Sequence, residues 1–271
     1  MRRLLDARGL QLTKSLGQNF LHDANQLRKI VAAGALEPGD RVLEIGPGLG
    51  PLTEVILDTG VAEVLAIEKD SRLVPILTDR FRHDERLTVQ HADALEVIRT
   101  ERRNWTGWKL VANLPYSVGS PLLVELALAE HPPERLTVTL QLEVVQRILA
   151  TADSDHYGVL TLLLSNYFVP GDWFKIPRDC FFPIPDVDSA CVTLLRRPES
   201  LLTSELAIKF VRVVKLAFSQ RRKMMYKLLK KEWPIDRLDA GFAEAHIALT
   251  ERAEKVTAEQ FAQLTRVLSK G

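Results

Sequence analysis

Short apolar runs alternate with stretches of helical periodicity between residues 41 and 143, and this alternation limits the possible folds more than any other feature of the chain. The apolar runs are 41–45, 63–68, 87–91, 109–113 and 136–140. Strands separated by helices predict a parallel sheet covered by helices on both faces, with ligands at the carboxyl ends of the strands. We therefore predict a Rossmann-like α/β fold, to which two further β-like runs, at 169–176 and 187–195, could add strands.

The pattern becomes helical throughout after Arg196-Arg-Pro198, so we place a domain boundary near Pro198. Residues 1–198 are expected to form the sheet domain, which includes an N-terminal arm at 1–25. Residues 199–271 are expected to form a small all-α domain.

A glycine-rich loop, Glu44-Ile-Gly-Pro-Gly-Leu-Gly50, follows the first apolar run. A dinucleotide-binding loop would have its third glycine at position 51, which is proline here, so NAD fits poorly. Glu44 places a carboxylate beside the turn, where it would repel a pyrophosphate and attract the ammonium group of a methionine. The loop, with Gly46 and Gly48 as contacts, therefore favours S-adenosylmethionine as the cofactor.

Two acids at the ends of the next two runs fit the same cofactor. Glu68 lies 22 residues after Gly46, where an acid can accept both hydrogen bonds from a ribose diol. Asp93 follows the third run and could accept from the amino group of the cofactor's adenine. Each acid taken alone fits a solvated strand end or a helix cap better, but their placement at successive strand ends together with Glu44 favours S-adenosylmethionine.

The tetrapeptide Asn113-Leu-Pro-Tyr116 follows the fourth run. Pro115 lacks an N–H and pushes Leu114 into an extended conformation, which leaves the Asn113 side-chain oxygen and the Leu114 carbonyl as neighbouring acceptors. An exocyclic amino group has two protons to donate, so this pair can hold an adenine while Tyr116 stacks on its ring. A turn that closes a strand is the alternative for four residues considered alone.

Residues 204–231 contain nine Lys or Arg and one acid, Glu205, which gives a local charge of +8 in a chain whose net charge is +1. Phe210, Phe218 and Tyr226 are interleaved with the bases. Such a segment is typical of a surface that binds polyanions such as nucleic acid, and it is equally typical of a solvated helix face.

The remaining composition excludes several classes of protein. No apolar run approaches the ~20 residues that span a bilayer, and the start of the chain is too polar for a signal peptide, so we expect a cytoplasmic protein. Cys180, Cys191 and the six histidines show no metal-ligand spacing, so we expect no metal and two core cysteines. We expect the chain to act as a monomer.

The chain resembles the small-subunit (16S) rRNA adenine-N6,N6-dimethyltransferases over almost its whole length. The resemblance depends on the glycine loop, on Asn113-Leu-Pro-Tyr116 and on three further motifs. These motifs are Lys14-Ser-Leu-Gly-Gln-Asn-Phe-Leu21, Phe181-Phe-Pro-Ile-Pro-Asp-Val-Asp-Ser-Ala190 and Phe218-Ser-Gln-Arg-Arg-Lys223. The resemblance implies dimethylation of N6 of two adjacent adenosines in the 3′-terminal hairpin of 16S rRNA and a role in small-subunit biogenesis.

The resemblance also assigns roles to residues. It implies that S-adenosylmethionine is contacted by Asn19, Leu21, Gly46, Glu68, Asp93 and Asn113. It implies that Tyr116 and Phe181 sandwich the target adenine and that the C-terminal helices bind rRNA, for which Arg221, Arg222, Lys223 and Lys227 are the candidates. Because Asn19 lies far upstream of the first strand, segment 14–25 is either a lid over the cofactor or an ordinary ordered arm.

Four positions depart from the family pattern: Asp186, Leu142, His91 and Lys227. The residues at 142 and 186 remove positive charge that the family usually has near its RNA face, so they bear on RNA affinity more than on chemistry. Three alternatives remain at this point: a 23S rRNA adenine-N6 methyltransferase, a DNA adenine methyltransferase, and a non-catalytic rRNA-binding assembly factor.

Overall fold

The computed structural model describes residues 19–270, so the expected arm at 1–25 is described only from Asn19 onward and Lys14 lies outside it. These residues form two compact units: 19–145 with 170–196, and 146–169 with 197–270. None of the helices in this range has the length and apolar character needed to cross a membrane.

The first unit is built on a seven-stranded sheet in the order β4-β3-β2-β5-β6-β9-β7. The strands are β1 (Phe20–Leu21), β2 (Arg41–Ile45), β3 (Glu63–Glu68), β4 (Leu87–His91), β5 (Trp108–Asn113), β6 (Arg135–Gln141), β7 (Phe168–Ile176), β8 (Phe181–Phe182) and β9 (Ser189–Arg196). The pairs among β2 to β6 are parallel, and β9 runs antiparallel to β6. The predicted Rossmann-like α/β fold is confirmed, and both additional β-like runs join the sheet.

Helices follow the strands of this unit because the sequence marks where they begin. The helices are α1 (Ala24–Ala33), α2 (Pro51–Leu57), α3 (Val74–Arg80), α4 (Ala94–Glu101), α5 (Gly119–Leu128) and α6 (Leu142–Leu149), of which α6 ends in the second unit. The side chains of Asp23 and Asp93 cap α1 and α4 by accepting from the third and second backbone N–H beyond them. Pro51 occupies the first turn of α2, where its missing N–H costs nothing.

A two-stranded sheet fixes the start of the described chain against this unit. Phe20 pairs with Phe182 and Leu21 pairs with Phe181, in an antiparallel register. Leu21 and Phe181 are buried together in the main apolar cluster, whose other members include Ile30 and Ile56.

The second unit is helical. Its helices are α7 (Val159–Ser165), α8 (Ser204–Ala217), α9 (Met225–Leu229), α10 (Ile235–Glu244) and α11 (Ala258–Ser269). Buried aromatic residues Phe210, Phe242 and Phe261 occupy its core.

This division differs from the boundary placed near Pro198, because residues 146–169 pack with the C-terminal helices instead of the sheet. The Tyr157 hydroxyl donates to the Val256 carbonyl (2.7 Å). The buried Asn166 side chain accepts from the Leu202 N–H (2.8 Å). These long-range bonds join 146–169 to the C-terminal helices, so the second unit is made of two separate segments of chain. The helical periodicity of 146–169 could not predict them.

Candidate active site

The glycine loop lies at the carboxyl end of β2, and its three glycines all have left-handed backbones, for reasons that are visible at Gly46 and Gly48. Gly46 (φ 69°) lines a cavity and lies against Pro115, 3.5 Å from where a Cβ would be. Gly48 (φ 64°) lies beneath the Phe20 ring, which a Cβ would approach to 2.5 Å. Gly46 therefore borders the cavity, whereas Gly48 makes room for β1.

Glu68 ends β3 with its carboxylate held by backbone amides. Its Oε2 accepts from the Gly48 N–H (3.0 Å) and its Oε1 from the Asp70 N–H (2.8 Å). The side chain is 5% exposed, and burial raises its pKa. Because each carboxylate oxygen can accept more than one hydrogen bond, Glu68 can still bind a diol from the cavity that it lines.

Asp93 also lines the cavity, and both of its carboxylate oxygens are oriented. Oδ1 accepts from the Leu95 N–H (2.9 Å) at the start of α4, and Oδ2 accepts from Lys69 Nζ (2.7 Å). The Lys69 ammonium holds the pKa of Asp93 below its usual range. Asp93 is thus a fixed, ionised acceptor at the mouth of the cavity.

Asn113, the last residue of β5, carries the most informative polar atom of the site. Its Nδ2 donates to the Asn19 carbonyl (2.9 Å), which fixes the amide plane. Its Oδ1 is buried and has no hydrogen-bond partner among the described residues. A buried unsatisfied acceptor costs about 1–3 kcal/mol, so this oxygen is suited to receive a donor from a ligand in the cavity that Asn113 lines.

The cavity has a volume of about 200 Å³ and lies at the carboxyl ends of β2 to β5. It brings together six of the residues chosen from the sequence: Asn19, Gly46, Glu68, Asp93, Asn113 and Leu114. Leu114 is held in place by its N–H, which donates to the Thr139 carbonyl (3.2 Å) on β6. No group of three or more His, Cys, Asp or Glu side chains in residues 19–270 is arranged to hold a metal ion.

Tyr116 lies just outside this cavity lining and is half-buried. Its hydroxyl is 2.5 Å from the Ser189 hydroxyl, at the first residue of β9. Burial raises the pKa of the Tyr116 phenol, so the group is neutral at physiological pH.

The surroundings of Glu44 differ from those expected of a residue that contacts the cofactor. It is 1% exposed, does not line the cavity, and accepts a hydrogen bond from the Thr53 hydroxyl (2.6 Å). Burial raises the pKa of Glu44 to about 8, so its carboxyl is mostly protonated at neutral pH and is not the fixed anion expected beside an ammonium. The expectation took the strand end to be open, whereas in the structure the Glu44 carboxyl is buried and bonded to Thr53 on α2.

The structure also places three other predicted site residues away from the cavity lining: Leu21, Gly48 and Phe181. The Leu21 side chain is in the apolar cluster, and its neighbour Phe20 lines the cavity instead, because successive side chains of a strand point to opposite sides. Gly48 lies outside the cavity lining, as described above. Phe181 is 1% exposed in the same apolar cluster as Leu21, so in this arrangement it is a core residue with no free face for stacking on a base.

Sequence reasoning also missed residues that line the cavity, notably Phe20, Lys69, Ser117 and Leu122. Lys69 and Ser117 directly follow Glu68 and Tyr116, so closeness to a chosen residue was a signal that could have been used. Phe20 and Leu122 gave no signal, because an aromatic and a leucine are more often core residues.

The basic side chains of 204–231 are all exposed in the second unit. They are Lys209, Arg212, Lys215, Arg221, Arg222, Lys223, Lys227, Lys230 and Lys231. The interleaved aromatics pack within the unit: Phe210 is buried, Phe218 packs with Tyr157 and Phe261, and Tyr226 packs edge-on against Phe242. The exposed surface of the segment is therefore mainly basic, and of its three aromatic residues Phe218 and Tyr226 are partly exposed.

Comparison with known proteins gives consistent matches. A family model described as ribosomal RNA adenine dimethylase matches residues 9–270. A protein of Latilactobacillus sakei named ribosomal RNA small subunit methyltransferase A is 37% identical, covering 99% of this chain and 93% of its own length. The protein of the same name from Streptococcus pyogenes is also 37% identical, over 98% of this chain and 92% of its own length.

Two solved structures share the fold. The 23S rRNA methyltransferase ErmE matches with a TM-score of 0.70 and 26% identity, covering 93% of this chain and 100% of its own. A dimethyladenosine transferase from Plasmodium falciparum matches with a TM-score of 0.73 and 23% identity, covering 90% of this chain and 95% of its own.

Proposed function

This chain belongs to the ribosomal RNA adenine dimethylase family and is an S-adenosylmethionine-dependent rRNA methyltransferase, and from that premise we propose that it acts on the small ribosomal subunit. The proposed reaction is dimethylation of N6 of two adjacent adenosines in the 3′-terminal hairpin of 16S rRNA. We also propose that it works in the cytoplasm as a monomer, during small-subunit biogenesis. The curated relatives that support the small subunit are similar over nearly the whole chain.

The observation that carries the chemistry is the buried, unpartnered Oδ1 of Asn113. The Asn19 carbonyl already engages the amide nitrogen, so the oxygen is the atom left for a ligand. An adenine amino group is a donor and can satisfy this acceptor, whereas a carbonyl group has no proton to donate. The site thus fits a planar base that bears an exocyclic NH2.

The residues around the cavity also fit the cofactor. Glu68 would accept from the ribose hydroxyls, Asp93 from the adenine amino group, and Gly46 and Asn19 would border the methionine part. When bound, S-adenosylmethionine supplies an electrophilic methyl group. Because Glu44 is buried against Thr53, we assign it no contact with the cofactor.

The protein's own contribution is positioning. Asn113 Oδ1 and the Leu114 carbonyl would hold the N6 amino group so that its lone pair is localised and directed at the methyl group. No strong base is required. Holding the reacting atoms ~3–3.5 Å apart can contribute up to ~7–11 kcal/mol to the lowering of the barrier.

The base must leave its stack to reach this site, at a cost of a few kcal/mol. Stacking on an aromatic side chain contributes ~1–3 kcal/mol per base, and we propose Tyr116 for that role. After the first methylation N6 keeps one proton, so one of the two acceptors is enough for the second transfer.

We propose that the exposed bases of the second unit bind rRNA, with Arg221, Arg222, Lys223 and Lys227 among the contacts. Neutralised phosphates release counterions, so this interaction supplies affinity that weakens with salt. Base selection is left to the cavity of the first unit.

A 23S rRNA adenine is the alternative substrate, because ErmE shares the fold over almost the whole chain. Sequence identity favours the small subunit, because the small-subunit methyltransferase of Latilactobacillus sakei is 37% identical to this chain and ErmE is 26% identical. The test is methylation of 16S and 23S rRNA from unmethylated ribosomes by the purified protein, read by mass spectrometry of the digested RNA. Dimethyladenosine in the 16S 3′-terminal hairpin is expected. Its appearance only in 23S rRNA, or no transfer at all, would refute the proposal.

A further inference from the structure

We propose that Ser189 is a positioning residue, which holds the Tyr116 ring in the orientation needed to stack on the target base. The inference depends on the proposed function, because it takes Tyr116 to be the stacking residue. Its basis is the contact between the two hydroxyl groups, 2.5 Å apart across 73 residues of chain.

The topology of the sheet brings Ser189 to this place. Tyr116 is three residues beyond the end of β5, at the carboxyl edge of the sheet. β9 runs antiparallel to β6, so its first residue, Ser189, lies opposite Gln141, the last residue of β6. The beginning of β9 is therefore at the same edge as the ends of the parallel strands.

Ser189 is a rigid anchor. Its side chain is 0% exposed, and its backbone lies in the β6–β9 ladder. The preceding residue, Asp188, is also fixed, because its carbonyl accepts from the Leu142 N–H (2.9 Å). A fully buried hydroxyl needs a hydrogen-bond partner, and here the phenol of Tyr116 provides it.

Tyr116, in contrast, is half-buried and lies in the turn that begins at Pro115. Without a fixed partner its ring could rotate about two side-chain torsions, and only part of that range would present a flat face to a base. A hydrogen bond at the far end of the ring restricts both torsions at once. The hydroxyl of Tyr116 is then used for orientation, while its ring face is used for stacking.

The chain offers a matched control on the same strand. Thr193 is 3% exposed on β9, and its hydroxyl contacts that of Thr137 on β6 at 3.4 Å. Thr193→Val removes a buried hydroxyl from the same strand pair, away from the cavity, and so measures the effect of such a loss on folding alone.

The experiment compares Ser189→Ala, Tyr116→Phe, the double variant and Thr193→Val in single-turnover methylation of small-subunit rRNA. Loss of one hydrogen bond of this kind corresponds to a factor of roughly 3–10 in rate. We expect Ser189→Ala to lower the rate constant by about that factor without a change in KM for S-adenosylmethionine. We expect Tyr116→Phe to have a similar effect, the double variant to be no slower than the slower single variant, and Thr193→Val to keep the wild-type rate.

A second measurement does not depend on methyl transfer. An RNA hairpin with 2-aminopurine at the target position reports stacking through the fraction of its fluorescence that is strongly quenched in the complex, and we expect Ser189→Ala to lower that fraction. The inference would be overturned if Ser189→Ala kept both the wild-type rate constant and the wild-type quenched fraction. It would also be overturned if the rate effects of the two single substitutions multiplied in the double variant. If the wild type binds the hairpin but transfers no methyl, the proposed function fails, and the quenching comparison still decides the role of Ser189.

Discussion

Glu44 can be tested by replacing it with glutamine, which keeps the size and the acceptor for Thr53 but cannot ionise. Burial raises the pKa of Glu44 from 4.5 to about 8. Between these two values the unfolded chain has released the proton and the folded chain retains it, so stability falls as pH rises through this window. Below pH 4.5 the carboxyl is protonated in both states and contributes no pH dependence.

The slope of this effect follows from proton linkage. One proton retained by the folded state alone lowers the free energy of unfolding by about 1.4 kcal/mol per pH unit. The window from 4.5 to about 8 allows a total on the order of a few kcal/mol, because relaxation of the buried site lessens the full effect. The other titrating groups are common to both proteins, so the difference between wild type and Glu44→Gln reports Glu44 together with its charge interaction with Glu68.

The assay is urea unfolding at pH 5.5, 6.5, 7.5 and 8.5, followed by tryptophan fluorescence. Trp105 and Trp108 are both buried in the first unit and report on it. We expect the wild type to lose about 1.4 kcal/mol more per pH unit than Glu44→Gln between pH 5.5 and 7.5. We also expect the two proteins to bind S-adenosylmethionine with the same affinity in calorimetry.

Parallel stability curves would refute the burial argument. If they were accompanied by a tenfold loss of cofactor affinity, Glu44 would be the ionised partner of the methionine ammonium that the sequence suggested. The unfolding and calorimetry measurements together therefore show whether Glu44 has a structural role or binds the cofactor.

Three further predictions concern the loop, the base site and the basic surface. Gly48→Ala should destabilise the protein by roughly 1–3 kcal/mol, since its Cβ would meet the Phe20 ring at a positive φ; unchanged urea midpoints would contradict the packing of β1. Asn113→Ala should lose most methyl transfer and keep part of its cofactor affinity in calorimetry, and near-wild-type turnover would exclude the assigned acceptor. Replacing Arg221, Arg222 and Lys223 by glutamine should flatten the log–log salt dependence of RNA binding by about 0.7–0.9 per lost phosphate contact, whereas an unaltered slope would place the RNA elsewhere.

The features that depend on local patterns could be predicted from the amino-acid sequence. Alternating apolar runs and helical stretches gave the α/β sheet, and the position of a residue at the end of a parallel strand was enough to bring Glu68, Asp93 and Asn113 to one cavity. These inferences hold because hydrophobic periodicity and helix capping are local properties of the chain.

Which side chains are buried and which distant residues are in contact depends on how the elements pack together. The Glu44 carboxyl is buried against Thr53, Phe181 is buried in the apolar cluster, and residues 146–169 join the C-terminal helices. The contact between Tyr116 and Ser189 depends on the antiparallel entry of β9 into a parallel sheet. Burial and contact across 73 residues arise from the packing of whole elements, and no local pattern in a single sequence contains that information.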